Sequence, residues 1–426
     1  MGRVFAAMLR RWPILGVAWT TVWLAVQPLM AQELAVRTDF EGGSARVLEQ
    51  DATQRRVRIA PAGDVRHGWP CWWYLRLDGL TAGQRWVLEV VPSDQVMPQG
   101  KNAGRPLAAA WCQPQRAAWS SDNHHWHQTE AGTPREGGVM AYEVTATGPS
   151  LWLAWGPPLT PQSAQSLLKR LAQDRPWAQV LELARSRQDR PCLALCLTEG
   201  ERSQPQRLAI WVQARQHAWE SGSSWVARGL AEWLVSDHPR AAALRQQSEI
   251  WIVPIMDVDN VATGNGGKEA FPQDHNRDWT DQPIYPEVAA AQQQLRRLSA
   301  DGRLALFVDL HNPAPGDVRP FFFVCPDETL TETGRRNLDR WLMVCRAEMT
   351  GPLVLSDQPR VSGASYDPLW KQMSKNWVAA HAPPFAVSAT LETAWNTPAS
   401  NTAGYRTLGM QLGLAIERYL REDPRR

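Results

Sequence analysis

From about residue 190 onward, six apolar runs alternate with helical patterns, and this alternation limits the possible folds more than any other feature of the chain. The runs are Cys192–Leu197, Arg207–Gln213, Ile250–Met256, Leu304–Leu310, Phe321–Cys325 and Phe385–Leu391. Helical patterns fall over Ser224–Ser236, Tyr285–Ala300, Thr329–Met349, Asp367–Ala380 and Ala403–Glu422. In the earliest of these, Val226, Leu230, Trp233 and Leu234 form one stripe at i, i+4, i+7 and i+8. Runs that are apolar throughout and separated by helices predict a sheet buried on both faces. The expected architecture over 161–426 is an α/β domain, a mixed sheet with helices on both faces.

Residues 34–155 follow a different pattern. Arg55–Ile59, Trp72–Leu77, Arg85–Val91, Val139–Val144 and Ser150–Trp155 read as short strands, with Asp-Gly, Ala-Gly and Gly-Gly turn signals between them. So few helical periods intervene that an antiparallel β-sandwich is expected over 32–160. The breaker run Gly156-Pro157-Pro158-Leu159-Thr160-Pro161 ends it, and a helical pattern over Gln162–Ser186 leads onward.

The segment 1–31 has the pattern of an export signal. Arg3, Arg10 and Arg11 precede the apolar stretch Trp12–Val26, and small Ala31 marks the expected cut. The rival is an uncleaved membrane anchor, since Trp12–Met30 approaches spanning length; Pro13, Gln27 and Pro28 count against it. The expectation is a periplasmic or secreted protein with no stable membrane insertion after cleavage. The whole chain has 45 Lys and Arg against 43 Asp and Glu, and removing Arg3, Arg10 and Arg11 leaves 42 against 43. That balance gives no sequence-independent grip on nucleic acid. With 44% hydrophobic residues the chain has ample core, and its 23 tryptophans predict rigid, bulky packing.

Six cysteines permit disulfides in an exported protein. Cys192 and Cys196 cannot bond each other, because four residues of strand separate their Cα atoms by roughly 13 Å. Buried free thiols are expected for that pair. There is no CxxC pattern to suggest a cysteine-bound metal.

Polar residues follow four of the predicted strands. His217 and Glu220 form an HxxE pair after Arg207–Gln213. His311 ends the run Leu304–Leu310, Glu392 follows Phe385–Leu391, and the loop Asp274-His275-Asn276-Arg277-Asp278-Trp279 follows Ile250–Met256. Taken singly, each residue has an ordinary structural role, such as a capping Glu or a core His. Together they occupy the carboxyl edge of the sheet, where open α/β sheets place their ligands. His, Glu and a second His match a catalytic zinc with three protein ligands and one open position. An added Glu supplies a base, and an Arg supplies a clamp for an anion.

Ala214–Ser224, containing Arg-Gln-His-x-x-Glu-Ser-x-Ser-Ser, resembles the first metal motif of the zinc carboxypeptidases. The closest likeness is to the cytosolic-carboxypeptidase-like branch, which carries an N-terminal β domain. It continues through Val253–Asp259, Asn276–Trp279, Asp309–His311 and Thr390–Thr393, and Gly68–Arg76 is similar to a strand of that β domain. The resemblance implies one zinc per chain held by His217, Glu220 and His311, with Glu392 as general base. It also implies that Asn276 and Arg277 grip the terminal carboxylate of a peptide, and that the reaction is hydrolysis of the last peptide bond.

Two departures stand out. His217-Ala218-Trp219-Glu220 has Ala-Trp where the branch usually has Pro-Gly. No arginine stands in Gly264–Ala270, where the family usually places one to stabilise the oxyanion; Lys268 is the candidate to supply that charge, with Arg215 as the alternative. Tyr366 is the candidate for a family tyrosine over the site. Lys371 and Lys375, shortly before Glu392, point to acidic side chains in the substrate. Two other functions fit the same residues: a zinc-dependent deacylase or amidase acting on acylated amino acids or cell-wall peptides, and a non-catalytic peptide-binding relative. His124, His125 and His127 are expected to lie in a polar loop of the β domain.

Overall fold

Leu208–Ala214 and Leu304–His311 are buried at every position. Successive strand residues point to opposite sides, so both faces of the sheet are covered. The computed structural model describes residues 1–2, 33–200 and 207–426, and the segment expected to be an export signal lies outside the described residues apart from its first two. Residues 33–426 form one unit. In its eight-stranded sheet, Ser248–Val253, Leu208–Ala214, Leu304–His311 and Val387–Glu392 run parallel in that spatial order. Pro191–Leu197 and then Ala178–Arg185 extend one flank antiparallel. Phe321–Val324 pairs antiparallel with Val387–Glu392, and the short Arg360–Val361 closes the other edge. The sheet is therefore mixed, as expected.

Helices Ser221–Leu234 and Thr402–Leu420 pack tightly on each other, and Glu332–Glu348 packs on the latter. The close crossing depends on Gly409, where an added Cβ would lie 2.1 Å from the carbonyl oxygen of Val226. A second group, Pro286–Ala300 and Ser374–His381, packs together and on Leu304–His311.

Two local expectations are corrected, and one helix is new. The helix expected over Gln162–Ser186 is a helix at Pro161–Ala172 followed by the edge strand Ala178–Arg185. Pro176 disfavours helix at Arg175, and Asp174 adopts a positive φ of 57°, so the chain turns back instead. The helix expected over Asp367–Ala380 is an α-helix only at Ser374–His381. Pro239–Gln247, with proline at its first turn, is a further helix not foreseen.

Residues 35–154 form two five-stranded sheets. Val57, Ile59, Leu88 and Val90 of one and Leu75, Leu77, Leu151 and Leu153 of the other are buried in the core. One pairing departs from an antiparallel sandwich: Arg56–Ala60 runs parallel to Arg85–Val90. Parallel neighbours need a crossover, and here the chain makes it through Tyr74–Asp78 of the opposite sheet.

All six cysteines are buried and free, so the fold forms no disulfide between them. His125 lies exposed beside Asp122. No helix among the described residues is long and apolar enough to cross a membrane.

Candidate metal and substrate site

The turn after Leu208–Ala214 places His217 and Glu220 immediately before helix Ser221–Leu234, whose start is tied down by side chains. Ser223 Oγ donates to the Glu220 carbonyl and Ser224 Oγ to that of Pro254, both at 2.7 Å. His311 ends the adjacent parallel strand, Leu304–His311. The donor atoms of His217, Glu220 and His311 lie within 4.8 Å of one another, and all three residues are buried.

The two imidazoles are held alike. His217 Nδ1 lies 2.7 Å from Glu220 Oε1, and His311 Nδ1 lies 2.8 Å from Glu220 Oε2. Their opposite nitrogens rest on carboxylates: His217 Nε2 is 3.0 Å from Asp274 Oδ1, and His311 Nε2 is 2.9 Å from Asp309 Oδ2. A carboxylate behind each Nε2 fixes the tautomer that turns the Nδ1 lone pair toward a shared cation, as is usual for metal-binding histidines. Glu220 Oε2, though close to His311, accepts no aligned hydrogen bond. Two imidazole nitrogens and a carboxylate, one oxygen of which lacks a satisfied bond, fit a zinc ion.

Burial works against the charge of Glu220, but the two imidazoles outweigh it and hold its carboxyl down at about 2. Burial likewise opposes an imidazolium at His311, yet the Asp309 and Glu220 carboxylates raise its pKa well above the usual range. Burial also opposes the charge of Asp274, while His217 and Lys268 hold its pKa well below the usual range.

Glu392 ends the strand next to that of His311. Burial pushes its carboxyl up to about 7, partly offset by His311, and its Oε2 has no hydrogen-bond partner. This carboxyl lines a cleft of about 700 Å³ together with the three candidate ligands.

The same cleft collects Asn276, Arg277, Lys268 and Tyr366. Asn276 Oδ1 accepts from Ser374 N at 2.9 Å, and its Nδ2 is 3.4 Å from His311 Nε2. Arg277 is nearly buried and meets Asp367. Lys268 Nζ lies 4.0 Å from Asp274 Oδ2 and 5.6 Å from the Trp69 ring centre. Gly267, at φ +77°, brings this loop in: a Cβ there would lie 2.7 Å from Ala218 N and 2.4 Å from Asp257 Oδ2.

Arg215, the alternative to Lys268, is turned away. Its buried guanidinium donates to the carbonyls of Ala218 (2.7 Å) and Leu159 (3.2 Å) and does not line the cleft. Lys375 is buried beneath the site, with Nζ 2.6 Å from Asn376 Oδ1, and neither it nor Lys371 lines the cleft.

Sequence reasoning assigned no role to Asp274, Asp309 or Asp367. Asp274 and Asp309 stand inside motifs already noticed, close to Asn276 and His311. Nor did it reveal that the β domain walls the cleft through Trp69, Gln99, Lys101 and Trp111. That domain grips the Lys268 loop: Trp69 Nε1 and Lys101 N each donate to the Glu269 carboxylate at 2.9 Å.

Two sequence families match the chain, zinc carboxypeptidase over residues 164–311 and cytosolic carboxypeptidase N-terminal domain over 36–155. Cytosolic carboxypeptidase 1 of Homo sapiens is 23% identical over 308 residues, covering 65% of this chain and 25% of that protein. Its Danio rerio counterpart is 37% identical over 108 residues, covering 25% of this chain and 9% of that protein. The chain thus spans a quarter or less of these relatives' length. The crystal structure of a metallo-carboxypeptidase from Burkholderia cenocepacia superposes with a TM-score of 0.73 at 23% identity, covering 91% of this chain and 99% of that one. A metallo-carboxypeptidase from Pseudomonas aeruginosa, in complex with (2-guanidinoethylmercapto)succinic acid, gives 0.73 at 20% identity, covering 90% and 98%. At these identities the likeness establishes the fold.

Proposed function

The chain belongs to the zinc carboxypeptidase family, and from that premise we propose that it is an exported zinc metallocarboxypeptidase removing C-terminal residues from peptides. The observation that carries this reading is the pairing of a His-Glu-His donor set with an arginine in the same cleft. When bound, zinc supplies a Lewis acid that polarises the scissile carbonyl and acidifies water.

The protein's own groups do the rest. His217, Glu220 and His311 hold one ion, with Asp274 and Asp309 orienting the two imidazoles. Glu392 takes a proton from the attacking water and passes it to the leaving amine. A base with a pKa of about 7 suits both halves of that task. Arg277 offers a guanidinium fork to the terminal carboxylate and Asn276 an amide beside it. Lys268 supplies positive charge near the developing oxyanion. Tyr366 lines the cleft and serves as a substrate contact. Export rests on Arg3, Arg10, Arg11 and the apolar stretch Trp12–Val26.

A pair of peptides differing only in a free or amidated C-terminus tests the reading. The amide lacks the charge that Arg277 recognises, so kcat/KM should fall by roughly 30- to 1000-fold. Arg277→Ala should cost about as much on the free acid and little more on the amide. Equal rates on both peptides would instead favour the amidase alternative.

A further inference from the structure

Arg277 is braced at both ends of its fork. Nη2 donates to Asp367 Oδ2 at 2.9 Å, and Nη1 donates to the Asn276 carbonyl at 2.8 Å. A guanidinium carries five N–H donors, so these bonds leave three for a ligand. Asp367 is itself fixed, because its Oδ1 accepts from Leu369 N at 2.8 Å within its own turn. Each side chain of the pair is only 11% exposed.

On the far side stands a residue of the β domain. Lys101 Nζ donates to the Tyr366 carbonyl at 3.0 Å, lies 4.5 Å over the Tyr366 ring, and is 4.0 Å from the same Oδ2 of Asp367. Lys101, Asp367 and Arg277 thus form a line of alternating charge from the β domain into the cleft.

We infer that Asp367 is a positioning residue that presents Arg277 to the terminal carboxylate of a peptide, and that Lys101 of the β domain steadies the turn carrying it. A nearly buried cation without a partner is costly and withdraws or draws in water. A carboxylate anchored to its own turn fixes the guanidinium plane while leaving donors open toward the cleft. An Asp367 free to swing would instead compete with the substrate, but its bond to Leu369 N argues against that role. The inference rests on the carboxypeptidase reading.

The test measures binding without turnover. Zinc-loaded, full-length Glu392→Gln protein is titrated calorimetrically with one peptide as free acid and as C-terminal amide. The parent should prefer the free acid by about 30-fold or more. Adding Asp367→Ala should weaken the free acid by about tenfold or more and leave the amide within about twofold. Asp367→Asn, which can still accept from Leu369 N, should lose part of the preference and serves if the alanine variant does not fold. Lys101→Ala, at an exposed and longer contact, should cost about two- to threefold, fading as salt is raised. Unchanged or tighter binding of the free acid after both Asp367 substitutions, or equal loss on acid and amide, would overturn the inference. A parent that binds acid and amide equally would remove the carboxypeptidase reading and this inference with it.

Discussion

His311 and Glu392 are register partners on adjacent parallel strands. A candidate metal ligand and a candidate base are therefore spaced by the hydrogen-bond ladder of the sheet, not by a loop. Parallel pairing brings two carboxyl strand ends level, and one further polar residue at each end puts both side chains at the cleft. Rigid elements hold such a constellation more closely than loops can.

Glu392→Gln keeps the size of the side chain and removes the proton acceptor. Zinc content should be unchanged while kcat falls by about 10²–10⁴. Metal analysis beside steady-state kinetics checks it. Loss of zinc together with activity would make Glu392 a ligand.

Zinc affinity should rise with pH. In the metal-free protein, the raised pKa of His311 gives stability that is present below its ordinary value near 6.5 and lost as pH climbs through the raised one. Glu392 acts in the same direction: folded, it keeps its proton up to about 7, whereas unfolded it releases it near 4.5, so its contribution also declines as pH rises. Binding zinc must displace the proton from His311 Nδ1, which becomes easier at higher pH. Thermal melts with and without zinc should show a larger zinc-induced rise in Tm at about pH 8 than at about pH 5.5. His217→Ala or His311→Ala should abolish the rise at both pH values, since two protein ligands hold the ion poorly. An equal rise at the two pH values would refute the protonation argument.

The parts of the fold legible in the sequence were those whose signal is local. Leu304–His311 is apolar throughout because both its faces are covered, and a continuous apolar run shows that directly. Ala178–Arg185 was misread because an edge strand with one half-exposed face carries Val180, Leu181 and Leu183 at spacings a helix also allows. His217, Glu220, His311 and Glu392 could be singled out because each follows a predicted strand. Asp367 could not, because it meets Arg277 ninety residues away through a turn without periodicity. The cleft wall formed by Trp69 and Lys101 depends on how the β domain docks, which no spacing in the chain encodes.

Lys268→Ala should leave zinc content intact and lower kcat by about 10²–10³, the usual cost of losing one oxyanion partner. Lys268→Arg should recover part of that loss, because charge rather than shape is required. Kinetics on a free-acid peptide reads both variants. A change below about threefold for the alanine variant would make Lys268 a loop residue anchored by Asp274, with no part in turnover.

Trp219, standing between two candidate metal ligands, should tie zinc affinity to the packing of the β domain. The residue is 1% exposed. It packs against Trp69, Trp111 and Trp155 of residues 35–155 and against Trp395, with ring centres 5.3–6.3 Å away. Trp219→Gly would open a large cavity at this junction, and truncating a buried aromatic side chain costs about 3–5 kcal/mol. The same change frees the backbone between His217 and Glu220, so the ligand geometry loses its support. Urea unfolding should show a lower midpoint, and zinc titration should show an affinity reduced by about 10- to 100-fold. Trp219→Phe keeps most of the packing and should recover most of both. Loss of stability with zinc affinity unchanged would show that the tryptophan cluster joins the two parts of the chain without shaping the metal site.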